Sequence, residues 1–146
     1  MKLPPGLRLS VEEHPAQADC AILAEGIAAY NRAHLAEPGY APLGIFVRNR
    51  EGEVLAGIDA AAYAGWLFVH TLWVAPGLRH SGIGRELLMR AERYGAEHGC
   101  HSAWLYTYSF QAPEFYRKLG YEPFGMLEAA DHRRIFLRKR LGAGAS

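Results

Sequence analysis

Apolar residues change their spacing several times along the chain, and each change marks an element. Between about residues 15 and 35, Ala18, Ile22 and Ala29 recur at helical spacing, and Gly26 in the middle leaves one long helix or two short ones open. The loop Glu37-Pro-Gly-Tyr-Ala-Pro42 ends that run. Residues 43–48 and 54–63 read as strands of an antiparallel hairpin, joined by the turn Asn49-Arg-Glu-Gly52. Ala64-Gly65 turns the chain into residues 66–74, WLFVHTLWV, which are rich in aromatic and β-branched side chains and apolar on both faces. That pattern predicts a strand in the middle of a sheet, covered above and below. Pro76-Gly77 breaks it. Residues 82–98 form the strongest helix, with Ile83, Leu87, Leu88, Ala91, Tyr94 and Gly95 on one face and Arg85, Glu86, Arg90, Glu92 and Arg93 elsewhere. Gly99 is placed to stop it. A strand over 102–108, a short helix over 112–119 ending at Gly120, and a last strand over 134–141 complete the reading. Helices that alternate with strands in the second half require a parallel crossover in a mixed sheet.

Composition sets limits on this α/β reading. At 146 residues the chain fits one domain, taken here as 1–141 with a flexible tail at 142–146. Half the residues are hydrophobic and 21% are charged, as in ordinary globular domains. No apolar run approaches the roughly 20 residues that span a bilayer, and the first residues lack an export pattern, so no membrane partner is expected. Two cysteines, Cys20 and Cys100, are too few for a disulfide framework, and free thiols suit a reducing cytoplasm. A net charge of +1 speaks against a nucleic-acid partner. The charge is unevenly spread: residues 1–70 hold five Lys/Arg against eight Asp/Glu, and residues 71–146 hold eleven against seven. A basic second half suits an anionic ligand.

The chemistry concentrates where the strand at 66–74 runs into the long helix. Gly82 and Gly84 open that helix, where unpaired backbone N–H groups and the helix dipole attract an anion such as phosphate. Arg79 adds a fixed positive charge, and His80 and Ser81 add donors. Neither the third glycine of a dinucleotide fingerprint nor the G-K-[S/T] of a P-loop is present. The run Arg79-x-x-Gly82-x-Gly84, after a strand and before a helix, resembles the acyl-CoA pyrophosphate loop of the GNAT N-acetyltransferase superfamily. A second segment resembles the same superfamily's A-x-x-x-Y-x-x-x-G-[FY] pattern, here Ala112, Tyr116, Gly120 and Tyr121. Ser109 stands where many relatives carry Asn.

The resemblance implies a mixed, mostly antiparallel sheet flanked by helices, with a splayed pair of strands that holds acyl-CoA. Acetyl-CoA would be the cosubstrate. Leu72, Trp73 and Val74 would offer an unpaired strand edge to the pantetheine amides. Arg79, His80, Ser81, Gly82, Ile83, Gly84 and Arg85 would surround the pyrophosphate, with Ser109 and Ala112 nearby. Tyr116 would protonate the departing thiolate, since phenol and thiol have comparable basicity; the alternative is that Tyr116 and Phe115 simply pack beneath the sheet.

An incoming ammonium must lose a proton. His70 suits that task, because an ordinary imidazole titrates near pH 6.5. Asp59 on the preceding strand and a chain of water are the alternatives. The acceptor site in such proteins draws on the parts this resemblance covers least, and Tyr30, Tyr40 and Tyr63 are its candidate walls here. Small-molecule and peptide amines both remain open as substrates, and relatives often pair as homodimers. The remaining histidines show no metal-ligand spacing, so no metal is expected. The cluster Arg133, Arg134, Arg138, Lys139 and Arg140 could attract an acidic substrate, but reads more simply as charge on an exposed edge strand. The reading is therefore an N-acetyltransferase acting by direct attack in a ternary complex. Its rivals are a CoA-binding sensor without turnover and a toxin that acetylates aminoacyl-tRNA. The sensor would have no use for Tyr116, and the toxin would need a strongly basic face.

Overall fold

A computed structural model describes residues 1–35 and 39–142. The loop residues 36–38 and the tail residues 143–146 lie outside the described residues. Contacts gather the chain into two compact units, Met1–Leu35 and Ala36–Ser146. The first unit contains one helix, α1 (Gln17–Arg32), which runs through Gly26 without a break. Asp19 in its first turn and Arg32 in its last complement the helix dipole.

The second unit is built on six strands: β1 (Ala41–Arg48), β2 (Val54–Tyr63), β3 (Trp66–Val74), β4 (Ser102–Tyr108), β5 (Glu122–Glu128) and β6 (Arg133–Arg140). Their spatial order is β1-β2-β3-β4-β6-β5. Every neighbouring pair is antiparallel except β3 and β4, which are joined through α2 (Ile83–Glu97) and lie parallel. A short helix, α3 (Pro113–Lys118), follows β4. This is the mixed sheet that the alternation of elements predicted.

Alternation along the strands decides which side chains meet α2. Ile58 of β2, Leu67 of β3, Leu105 of β4 and Leu137 of β6 are fully buried with Leu88 of α2. Each such side chain contributes about 1.5–3 kcal/mol by leaving water. Gly95 lets the helix sit close, since a Cβ there would lie 3.1 Å from the Leu67 Cβ. Phe115, Tyr116 and Leu119 of α3 pack against the same core.

Three expectations are corrected. β3 is not covered equally on both faces: Leu67 and Val69 are buried, whereas His70, Thr71 and Trp73 are exposed. β6 is not an edge strand, because β5 lies outside it. β5 itself has no counterpart in the sequence reading. Its segment EPFGMLE contains Pro123 and Gly125, buries none of its residues and pairs irregularly with β6, so it carries no periodic signal.

Candidate active site

β3 and β4 pair at Trp66 with Ser102, Leu67 with Ala103 and Phe68 with Trp104, and then part. Each keeps its other neighbour: β3 follows β2 through Val74, and β4 follows β6 through Tyr108. Beyond Phe68 the facing edges of β3 and β4 therefore have backbone groups without a strand partner, and a buried backbone group needs one. The gap is a cleft of about 890 Å³. It is lined by residues 69–74 of β3, 78–80 and 82–85 of the following loop and helix start, 105–108 of β4, and residues 110–112, Phe115, Tyr116 and Lys118.

The loop between β3 and α2 is held open by backbone geometry. His80 and Gly82 both adopt left-handed φ values, +64° and +88°. For histidine that conformation costs energy, and such strain is typical of functional loops. Gly82 is the N-cap of α2, and no side chain caps the first turn. Residues 82–85 at this positive end of the helix dipole line the cleft. The Arg79 side chain folds back so that Nε donates to the Val74 carbonyl at 3.0 Å, which fixes the guanidinium at the end of β3. A guanidinium and an uncapped helix start thus meet at one end of the cleft, and an unpaired strand edge runs along it.

A β-bulge sets the opposite wall. Ala60 pairs with Val69 and Asp59 with Thr71, so His70 is the extra residue in β3. A bulge re-aims side chains. Here it exposes His70 and Thr71 in succession and brings His70 Nδ1 within 3.3 Å of Asp59 Oδ2 and 3.1 Å of Thr71 Oγ1. The two alternatives for the base, His70 and Asp59, are thus hydrogen-bonded neighbours.

Tyr116 lines the cleft from α3, its ring against Phe115 and Tyr121. Burial pushes its phenol up to about 12, because a tyrosinate would lose hydration. Tyr116 therefore holds its proton at neutral pH.

Most residues expected at the site meet at this cleft: His70, Leu72, Trp73, Val74, Arg79, His80, Gly82, Ile83, Gly84, Arg85, Ala112 and Tyr116. Ser81 and Ser109 do not line it. The Ser81 hydroxyl donates to the Leu78 carbonyl and shapes the turn. Ser109 exchanges two bonds with Arg133, its N–H donating to the carbonyl at 2.8 Å and its Oγ accepting from the N–H at 3.0 Å. Tyr40 and Tyr63 contact each other edge-on at 6.2 Å and lie outside the cleft lining. Tyr30 belongs to α1 in the first unit, 4.9 Å from the His34 ring. The sequence reading passed over Tyr106, Tyr108 and Gln111. Alternation in SAWLYTY places Trp104, Tyr106 and Tyr108 on one face, which was the available signal. Gln111 Oε1 accepts from Thr107 Oγ1 at 2.9 Å and the Tyr108 N–H at 2.7 Å, which fixes the end of β4.

The model of the Acetyltransferase (GNAT) family matches residues 12–121. The chain belongs to the GNAT acetyltransferase family. An acetyltransferase of Agrobacterium fabrum is 33% identical over 112 residues, covering 77% of this chain and 81% of that protein. A blasticidin-S acetyltransferase of Streptomyces morookaense is 42% identical over 74 residues, covering 50% of this chain and 54% of that one. The crystal structure of an acetyltransferase from Bacillus cereus superposes with a TM-score of 0.76 at 31% identity, covering 90% of this chain and 98% of that one. The splayed strand pair implied by GNAT membership is present as β3 and β4. As a GNAT protein the chain is an acyltransferase. Among the described residues no helix is long and apolar enough to cross a membrane.

Proposed function

We propose that the chain transfers an acetyl group from acetyl-CoA to an amine by direct attack in a ternary complex. The observation that carries this reading is the parting of β3 and β4 above an uncapped helix start. A thioester-bearing chain laid along β3 would find backbone partners at Leu72, Trp73 and Val74, with its diphosphate against residues 79–85.

The reaction forms one C–N bond, breaks one C–S bond and moves two protons. One proton leaves the ammonium. His70 would take it, its Nδ1 lying 3.3 Å from Asp59 Oδ2. The other leaves the nitrogen as the C–N bond forms; Tyr116, which lines the cleft, would give its own proton to the departing sulfur and regain this one. Between these steps the residues hold the reactants in line. Among the described residues no cysteine lines the cleft, which supports attack by the amine itself rather than through an acyl-enzyme. The blasticidin-S acetyltransferase among the relatives supports a small-molecule amine as acceptor.

Thermal shift tests the cosubstrate, since a ligand that binds only the folded state raises Tm by mass action. Acetyl-CoA should raise Tm and pantetheine alone much less. If neither raises it, the cleft is not an acyl-CoA site. Thiol release measured over a panel of amines then tests transfer.

A further inference from the structure

Arg134 occupies an unusual setting on the sheet face that carries Trp104, Tyr106 and Tyr108. It lies in β6, an interior strand, paired across β4 with Tyr108. Its guanidinium carbon is 4.8 Å from the Tyr106 ring centre and 5.2 Å from that of Tyr108. Its Nη2 donates to the Tyr108 hydroxyl at 2.6 Å. Neighbouring basic side chains of this region contact acids: Arg138 meets Glu122, Lys139 meets Glu92 and His132 meets Asp131. Among the described residues no carboxylate pairs with Arg134. Two rings and one phenol therefore hold a half-buried guanidinium in place and leave most of its N–H donors unused.

Both tyrosines line the cleft, and Arg134, itself outside that lining, reaches it through its contacts with the two rings. Contacts run from there to the proposed base, through Tyr106 to Phe68 at 6.4 Å and Phe68 to His70 at 6.0 Å. β4 stands between β3 and β6, and β3 parts from β4 beyond Phe68, so His70 and Arg134 are more than two strand spacings, roughly 10 Å, apart. A fixed, planar, unpaired guanidinium is the geometry that binds a carboxylate through two parallel hydrogen bonds. The same setting disfavours a second cation, because the faces of Tyr106 and Tyr108 already carry one and like charges repel.

We infer that Arg134 makes this acceptor site selective for amines that also carry a carboxylate, held several bonds from the reacting nitrogen. The inference rests on the transfer reading for the amine's position at His70. Arg134 itself is a binding residue that acts on affinity and takes no part in proton transfer.

The test uses the full chain saturated with CoA, which permits binding without turnover. Dissociation constants are measured by calorimetry for 6-aminohexanoate, its neutral amide and 1,6-diaminohexane. The carboxylate should bind about tenfold or more tightly than the amide, and the diamine most weakly, as a charge-assisted pair predicts. Arg134→Gln should bring the ratio of carboxylate to amide near one. Arg134→Lys, which keeps the charge and loses the fork, should leave an intermediate ratio, with Tm recorded for both variants. Equal affinities in the unaltered protein, or an Arg134→Gln variant that keeps the preference, would overturn the inference. Absence of acetylation with the binding preference intact overturns the transfer reading alone.

Discussion

Tyr121 donates its phenolic hydrogen to Glu92 Oε2 at 2.7 Å, a bond between residues 29 apart that ties the start of β5 to α2. The other carboxylate oxygen of Glu92 accepts from Lys139 Nζ at 2.9 Å, which brings in β6. Burial and the Glu92 charge together push the Tyr121 phenol strongly upward, so the hydroxyl stays a donor. The trio ties α2, β5 and β6 together beside the cleft. Replacing Glu92 with Leu leaves a buried hydroxyl and a partly buried ammonium unpartnered. A loss of about 2–4 kcal/mol in unfolding free energy is expected, read from urea denaturation. Tyr121→Phe, which removes only the donor, should cost about 1 kcal/mol.

His70 and Asp59 should separate by substitution. His70→Gln removes the proposed base and should lower kcat about a hundredfold. Asp59→Asn keeps the imidazole and alters only its neighbour, 3.3 Å from Nδ1, so kcat should fall about tenfold or less. An Asp59→Asn variant impaired as severely as His70→Gln would make the carboxylate the base.

Tyr116 gives a prediction at the alkaline end. Its phenol is raised to about 12 by burial, above the ordinary value near 10. The proton it carries therefore favours the folded state. That stabilisation is complete below pH ~10 and is lost as pH rises through about 12. Tyr116→Phe should flatten the stability curve between those values, measured by Tm against pH. At neutral pH the same variant should lower kcat about tenfold or more with little change in the acetyl-CoA KM.

Gly82 should matter through its backbone. Its φ of +88° is costly for any residue with a Cβ, and nothing lies within 4 Å of where that Cβ would go. Gly82→Ala therefore isolates the conformational cost, about 1–2 kcal/mol. A lower Tm should accompany a raised KM for acetyl-CoA, since relaxing φ turns the first-turn N–H groups away. A variant with lowered Tm and unchanged KM would separate the loop from the cosubstrate.

Where side chains repeat with one period, the order of residues is enough to reveal the element. β2, β3, β4 and α2 fall within a residue or so of their expected bounds, because α2 has a single apolar face and the strands are dense in β-branched and aromatic residues. β5 is not readable. Pro123 and Gly125 interrupt it, and it depends on β6 for its pairing. The loop at residues 79–85 is legible because glycine marks the positive φ at residue 82 and the opening of α2. The bulge at His70 is not, since an extra residue in β3 exists only relative to β2. Arg134 was hidden for a related reason. Sequence shows it among five basic residues, and only pairing with Tyr108 sets it apart from the rest.

The sheet is held at its middle by three residue pairs, Trp66 with Ser102 to Phe68 with Trp104. On one side stand β1 to β3 and on the other β4 to β6. A ligand that hydrogen-bonds along the parted edges would act as a splint between the halves. Amide hydrogens of β3 and β4 above Phe68 should then exchange more slowly once it is bound, and the reactant would serve for a time as part of the architecture that holds it.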